Sequence, residues 1–253
     1  MPQHGPYLTE RAIAQSERFT IYQARHTGTG ATVALKVLRD PRQGSRFAQM
    51  TQLAQRLTDP HAVRVLDVGH DHAALELIDG PALRATIVRG ALPPSAAVAI
   101  IVQLCEAIAA AHAVGIIHGR LAPTHVLHGP VLRVLGHRYK RGDAAVLDPD
   151  VVKYMPPESL RLAPVDERTD IWSIGVVLFE LVEGYKPFDA ESYAELLVKL
   201  AEDPPATVMR MSPELSLIVA RCLEKRPERR FQSVSELIEV CKNPQLLRIS
   251  YLC

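Results

Sequence analysis

Asp166-Glu167-Arg168-Thr169-Asp170-Ile171-Trp172-Ser173-Ile174-Gly175-Val176-Val177-Leu178-Phe179-Glu180-Leu181, followed by Gly184, Pro187 and Phe188, is the stretch on which the reading of this chain turns. Residues 171–182 form the most apolar run in the sequence, with Ser173 and Glu180 inside it. At about a dozen residues the run is short of the roughly 20 that span a bilayer, and it suits a buried core helix.

Outward from this run, helix starts recur on the C-terminal side. Asp189 precedes residues 190–202, Ser212-Pro213 precedes residues 214–224, and Ser233-Val234-Ser235-Glu236 has the form of a capping box, in which serine and glutamate each take a backbone N–H. On the N-terminal side, residues 96–114 open at Pro94-Ser95 and are rich in Ala, Ile and Leu, as a second buried helix should be. Further back the pattern changes. Residues 32–38, 63–68 and 73–77 are short β-branched runs bounded by turn residues such as Thr27-Gly28-Thr29-Gly30. Between the first two, residues 45–57 lack Gly and Pro and space Phe47, Met50, Leu53, Ala54 and Leu57 for one face of a helix. The class is therefore α+β and two-lobed. A small β-rich lobe over residues 8–79 joins a larger helical lobe over 80–242 near Leu75 to Gly80, and a tail follows over 243–253, all within one domain.

Composition narrows the function. The chain has 253 residues, 47% hydrophobic and 23% charged, enough for a sizeable core. With 29 basic and 28 acidic residues the net charge is +1, which gives no electrostatic reason to expect nucleic acid or an acidic membrane as partner. Residues 1–11 contain no apolar targeting core, and no membrane segment is expected. Cys105, Cys222, Cys241 and Cys253 lie far apart, without zinc-site spacing or disulfide density, so a reducing cytoplasm is the expected setting.

Several motifs fall in one family's order. Thr32-Val33-Ala34-Leu35-Lys36-Val37-Leu38 resembles the strand that supplies the lysine of protein kinases. Ala111-His112-Ala113-Val114-Gly115-Ile116-Ile117-His118 resembles the approach to their catalytic loop, and Tyr154-Met155-Pro156-Pro157-Glu158 the close of their activation segment. The opening stretch is similar to the central helix of bacterial Ser/Thr protein kinases, and Pro227-Glu228-Arg229-Arg230-Phe231 to their late arginine motif. The resemblance covers nearly the whole chain and implies the two-lobed kinase fold, with Arg230 paired to Glu158 inside the helical lobe.

The resemblance also shows what this chain has lost. Ala14, Ser16 and Phe19 stand where the family has the glycines that let backbone approach phosphate, and Phe19 brings a bulky ring there. Met50 stands where the family has the glutamate that pairs with its lysine. The catalytic loop becomes His118-Gly119-Arg120-Leu121-Ala122-Pro123-Thr124-His125, with Arg120 for the general base, Ala122 for the lysine and His125 for a magnesium ligand. Gly136-His137-Arg138 replaces the metal-binding Asp-Phe-Gly turn. Asp170, Trp172, Gly175, Glu158 and Arg230, which the resemblance makes supports of the larger lobe, are kept.

Loss divides by role, and the reading is a pseudokinase: no catalytic residue, no metal site, and work as a protein-binding scaffold or allosteric regulator of an active kinase or a phosphorylated protein. If nucleotide binds, the resemblance assigns Lys36 to phosphate and Ala34, Ile21 and Leu127 to adenine, although these apolar residues suit a core equally well. No cofactor is expected, least of all magnesium-dependent ATP. His118, His125 and His137 should converge near the former metal site, but with Arg120 and Arg138 beside them and no carboxylate, a structural role is the plainer reading. Arg120, Arg133, Arg138, Lys140 and Arg141 make the region basic, as an anion-attracting surface or a solvated loop. The alternative is an atypical kinase or other ATP-using transferase with a displaced site, for which Asp143, Asp148 and Asp150 are the nearest acids.

Overall fold

The structure, a computed structural model of the chain, describes residues 2–16, 18–129, 131–135, 149–161 and 163–246. Two compact units divide it, Met1–Gly80 and Pro81–Cys253. The first starts ahead of residue 8, because the short strand β1 (Gln3–His4) already pairs with β2 (Tyr7–Gln15).

After these come β3 (Phe19–His26), β4 (Thr32–Leu38), the helix α1 (Gly44–Ala54), β5 (Val65–Val68) and β6 (His72–Glu76). The strands form one antiparallel sheet in the order β1-β2-β3-β4-β6-β5. The turn at residues 27–30 sets its central register. Gly30 takes the left-handed φ of +72° that a side chain would resist, and the His26 N–H donates to Ala31 O at 2.9 Å. From that closure Arg25 faces Thr32, Ile21 faces Lys36 and Phe19 faces Leu38. Side chains alternate across the strands, so Val33, Leu35 and Val37 pack with Tyr7, Ala24 and Ala74 on one face. On the other face Leu38 and Ala73 meet Phe47 of α1, with Phe19 and Leu75 packed against them.

The second unit holds α2 (Leu83–Val88), α3 (Pro94–Ala113), β7 (Val126–His128), β8 (Leu132–Val134), α4 (Pro149–Val152), α5 (Pro157–Leu160), α6 (Glu167–Glu183), α7 (Tyr193–Glu202), α8 (Pro213–Cys222) and α9 (Val234–Lys242). The expected core helix is α6, in which every residue from Thr169 to Glu183 is buried. Its ends are well satisfied: Asp166 accepts the Arg168 N–H at the start, and Gly184, at φ +85°, closes the other end. Around it pack α3, α8 and α9. Among the described residues α3 is long and apolar enough to cross a bilayer, with a mean hydropathy of 1.8, yet Ile101, Leu104, Cys105, Ala107, Ile108 and Ala111 are fully buried in this core. Cys222 and Cys241 are buried there too, and desolvation pushes the Cys241 thiol up to about 11, so it packs as a protonated apolar group.

One helix starts later than the sequence suggests. Asp189 does not cap α7: its carboxylate pairs with Lys153 and accepts the Ala190 N–H, while Ser192 caps, accepting the Glu195 N–H at 3.1 Å. The serine half of the Ser233–Glu236 box forms as expected, with Ser233 Oγ accepting the Glu236 N–H at 3.1 Å, while the Glu236 carboxylate accepts the N–H of Gln232, one residue ahead of the cap, at 2.8 Å.

Close approach of α6 and α8 depends on Gly175. A Cβ there would lie 2.5 Å from Cys222 Cβ and 3.2 Å from Leu223 Cδ2. Gly175→Ala is therefore expected to push the helices apart and cost about 1–3 kcal/mol, read as an earlier thermal transition; an unchanged transition would mean that the two helices slide freely.

Candidate functional site

In the first unit, the register puts Ile21 opposite Lys36, and Ala34 two residues away on the same face of β4. Phe19 is the diagonal neighbour of Lys36 on that face, within reach of an aromatic side chain. Its ring turns onto the lysine: Lys36 Nζ lies 4.1 Å from the ring centroid, a cation–π contact. Phe47 of α1 backs the ring at 5.6 Å, and the Arg18 guanidinium lies 5.5 Å from its centroid.

The tip of the β2–β3 hairpin closes on itself. Ser16 N–H donates to Phe19 O at 2.8 Å, and Phe19 N–H donates to Ser16 Oγ at 3.2 Å. Arg39 ties the tip to the end of β4, giving its N–H to Arg18 O at 2.9 Å and a guanidinium N–H to Ser16 O at 3.2 Å. Phosphate cradles are made by backbone N–H groups pointing at the ligand. Here those of Ser16 and Phe19 serve the turn instead.

In the second unit, Asp170 of α6 organises residues 112–120. Its carboxylate, fully buried, accepts His118 N–H at 2.8 Å and Gly119 N–H at 2.7 Å, and bonds His112 Nε2 at 2.8 Å. Gly119 holds a left-handed φ of +69°, which suits glycine at the place where the family has arginine. His118 is fully buried and donates from Nε2 to Leu135 O at 2.9 Å, which leaves Nδ1 to accept the Arg120 N–H at 3.4 Å. His125 donates from Nδ1 to Arg120 O at 2.9 Å, with its ring 5.5 Å from that of His118. The Arg120 peptide is thus held from both sides by imidazoles. Both nitrogens of His118 are engaged by the chain, so this histidine serves structure rather than a metal.

The lobe's supports are equally well made. Arg230, 1% exposed, forks onto Glu158 at 2.7 and 2.9 Å and also donates to the carbonyls of Arg168, Glu224 and Lys225. Its guanidinium lies 5.0 Å from the Trp172 ring centroid, and that ring stacks on Phe188 at 5.5 Å. Buried Glu180 accepts from Tyr154 Oη at 2.5 Å and pairs with Arg84 at 2.9 Å and Lys186 at 3.0 Å.

Of the residues singled out in the sequence, Lys36, Ile21 and Ala34 share one sheet face, and Ala122 is buried at 1% exposure beside Arg120. Leu127 lies in β7 of the second unit, opposite Arg133 and bridged to Ala82. Ala14 pairs with Ile21 in the hairpin. Gly136, His137, Arg138, Lys140, Arg141, Asp143 and Asp148 lie outside the described residues, as do the side chains of Met50 and Asp150. The sequence did not reveal His112 as a partner of Asp170, or the Phe19–Lys36 contact. For the latter a signal existed, since the turn at 27–30 fixes which residues face each other.

These residues do not fit a magnesium nucleotide. The lysine that would meet phosphate carries an aromatic ring, the Ser16 and Phe19 N–H groups beside it are used in a turn, and the loop offers His125 where an amide oxygen would hold a hard cation and Arg120 where the family has its general base.

Comparison with known proteins places the chain among similar sequences. Residues 7–243 match the family model described as protein kinase domain. The chain is 30% identical over 268 residues to serine/threonine-protein kinase pkn2 of Myxococcus xanthus, covering 93% of this chain and 32% of the relative. It is 30% identical over 258 residues to serine/threonine-protein kinase PknH of Mycobacterium bovis, covering 92% and 43% respectively. PknB of Mycobacterium leprae is 30% identical over 246 residues, with 86% of this chain and 39% of the relative covered. The chain therefore spans between about a third and a half of the length of these relatives.

Proposed function

Since the chain belongs to the protein kinase domain family, we propose that it is a member that transfers no phosphate and works by binding other proteins, as a scaffold or allosteric regulator in bacterial Ser/Thr kinase-type signalling in the cytoplasm. The observation that carries this reading is Arg120. A guanidinium remains protonated at any relevant pH and cannot accept the hydroxyl proton of a substrate. Its peptide is nevertheless held in place by His118 and His125, on a loop anchored to Asp170. The scaffold that positions the chemistry is intact while the chemical groups are exchanged.

Electrostatic stabilisation by metal ions and lysine supplies most of phosphoryl-transfer catalysis. Ala122 and His125 offer no substitute for it. A chain without that chemistry acts through its surface, so its partner is a protein, either an active kinase or its phosphorylated product. No cofactor takes part. Any residual nucleotide affinity would fall to Lys36 for phosphate and to Ile21, Ala34 and Leu127 for adenine.

The test is transfer of labelled γ-phosphate from ATP to the chain itself or to a general protein substrate, with magnesium or manganese. We expect incorporation no greater than in a Lys36→Ala control. Metal-dependent incorporation abolished by Lys36→Ala, Asp148→Ala or Asp150→Ala would overturn the reading and restore an enzyme with a displaced site.

A further inference from the structure

We propose that Phe19 is a built-in stopper that keeps phosphate groups away from Lys36 and so helps to set what the first unit refuses to bind. The proposal deepens the non-catalytic reading above and rests on it.

Three independent restraints place the ring. Register comes first: the closure at residues 27–30 makes Phe19 and Lys36 diagonal neighbours on one face, which keeps the ring and the lysine side chain within reach of each other. Packing comes second. Phe47 of α1 lies behind the ring at 5.6 Å, and Leu38, Ala73 and Leu75 belong to the same apolar cluster, so an outward swing would expose apolar surface to water. The third is the hairpin tip, where Phe19 gives both its N–H and its C=O to Ser16 and the neighbouring carbonyls accept from Arg39.

The ring also makes a favourable contact with the charge it covers. Its negative face lies 4.1 Å from Lys36 Nζ and occupies that side of the ammonium. A phosphate must therefore displace a favourable contact as well as a bulky group, and the Ser16 and Phe19 N–H groups beside it are already used in the turn. The excluded class is polyphosphates, including the triphosphate of a nucleotide; neutral ligands of the same sheet face are unaffected.

The closing experiment uses the full chain in EDTA, with ATP and with inorganic tripolyphosphate as probes, read by thermal unfolding and by calorimetry. Wild type is expected to show no shift at millimolar probe. Phe19→Ala, shown by circular dichroism to be folded, should rise by about 5 °C at saturation and bind at least about 10-fold more tightly. The gain should vanish in Phe19→Ala/Lys36→Met. Wild type binding as tightly as Phe19→Ala would overturn the proposal, and so would a folded Phe19→Ala that binds neither probe.

A measurement on the unaltered chain guards against a variant that fails to fold. The ring current of Phe19 should move the Lys36 Cε protons upfield of those of every other lysine, and ordinary shifts there would overturn the stopper. Phosphotransfer by the same Phe19→Ala sample separates the two ideas. Binding without transfer supports both, whereas transfer would overturn the non-catalytic reading and leave the stopper standing.

Discussion

Arg230→Ala is expected to destabilise the chain by about 3–5 kcal/mol, lowering the midpoint of thermal unfolding by about 10 °C for a protein of this length. The loss is large because of what stays behind. Glu158, with its side chain 11% exposed, would keep a largely buried carboxylate without its bidentate partner, and three carbonyls would lose a donor. Lysine does not rescue the site, since one ammonium cannot reproduce a planar fork of five donors that meets two carboxylate oxygens at once. The sign changes when both partners go. Arg230→Met combined with Glu158→Leu should lie within about 1 kcal/mol of wild type, since removing a buried pair together also removes its desolvation cost. Equal losses in the single and double variants would show that volume rather than charge makes the site matter, and a single variant costing under about 1 kcal/mol would show that Glu158 is solvated.

This ion pair was expected from the resemblance, which matches Glu158 and Arg230 to a pair inside the family's larger lobe; among 29 basic and 28 acidic residues, charge alone names no partner. The core helix was legible from the residues themselves: an apolar run bounded by Asp166 and Gly184 has few ways to satisfy its ends. Short elements were harder. The helix α2 and the strand β7 span only Leu83–Val88 and Val126–His128, too few residues for periodicity to declare itself. The start of α7 misled because Asp189 and Ser192 are both of the residue types that cap helices, and type alone does not choose between them; in the fold Ser192 caps and Asp189 pairs with Lys153. In the candidate site the exchanges Arg120, Ala122 and His125 could be read directly, since identity alone determines whether a group can accept a proton. The direction of the Phe19 ring could not. Beyond the register set by the turn at 27–30, it depends on Phe47 arriving from α1, which is tertiary information.

Asp170→Asn is the sharper test of whether the loop is held for a purpose. The substitution preserves shape and removes the charge from a fully buried carboxylate that accepts from His118 N–H, Gly119 N–H and His112. An amide has one oxygen, so whichever way it turns, its NH2 confronts a backbone donor. Two charge-assisted hydrogen bonds are worth about 1.5–3 kcal/mol each, and a global loss of about 3 kcal/mol or more is expected. The local consequence is more telling. In the wild-type chain the amides of His118 and Gly119 should exchange with solvent as slowly as those of α6, and in Asp170→Asn about 100-fold faster. Were they already fast in wild type, the loop would be decaying along with its chemistry, and the claim that the scaffold outlived the catalyst would fall. Slow exchange that needs the Asp170 charge would show that the loop keeps Arg120 in a fixed position, as the proposed recognition of a partner requires.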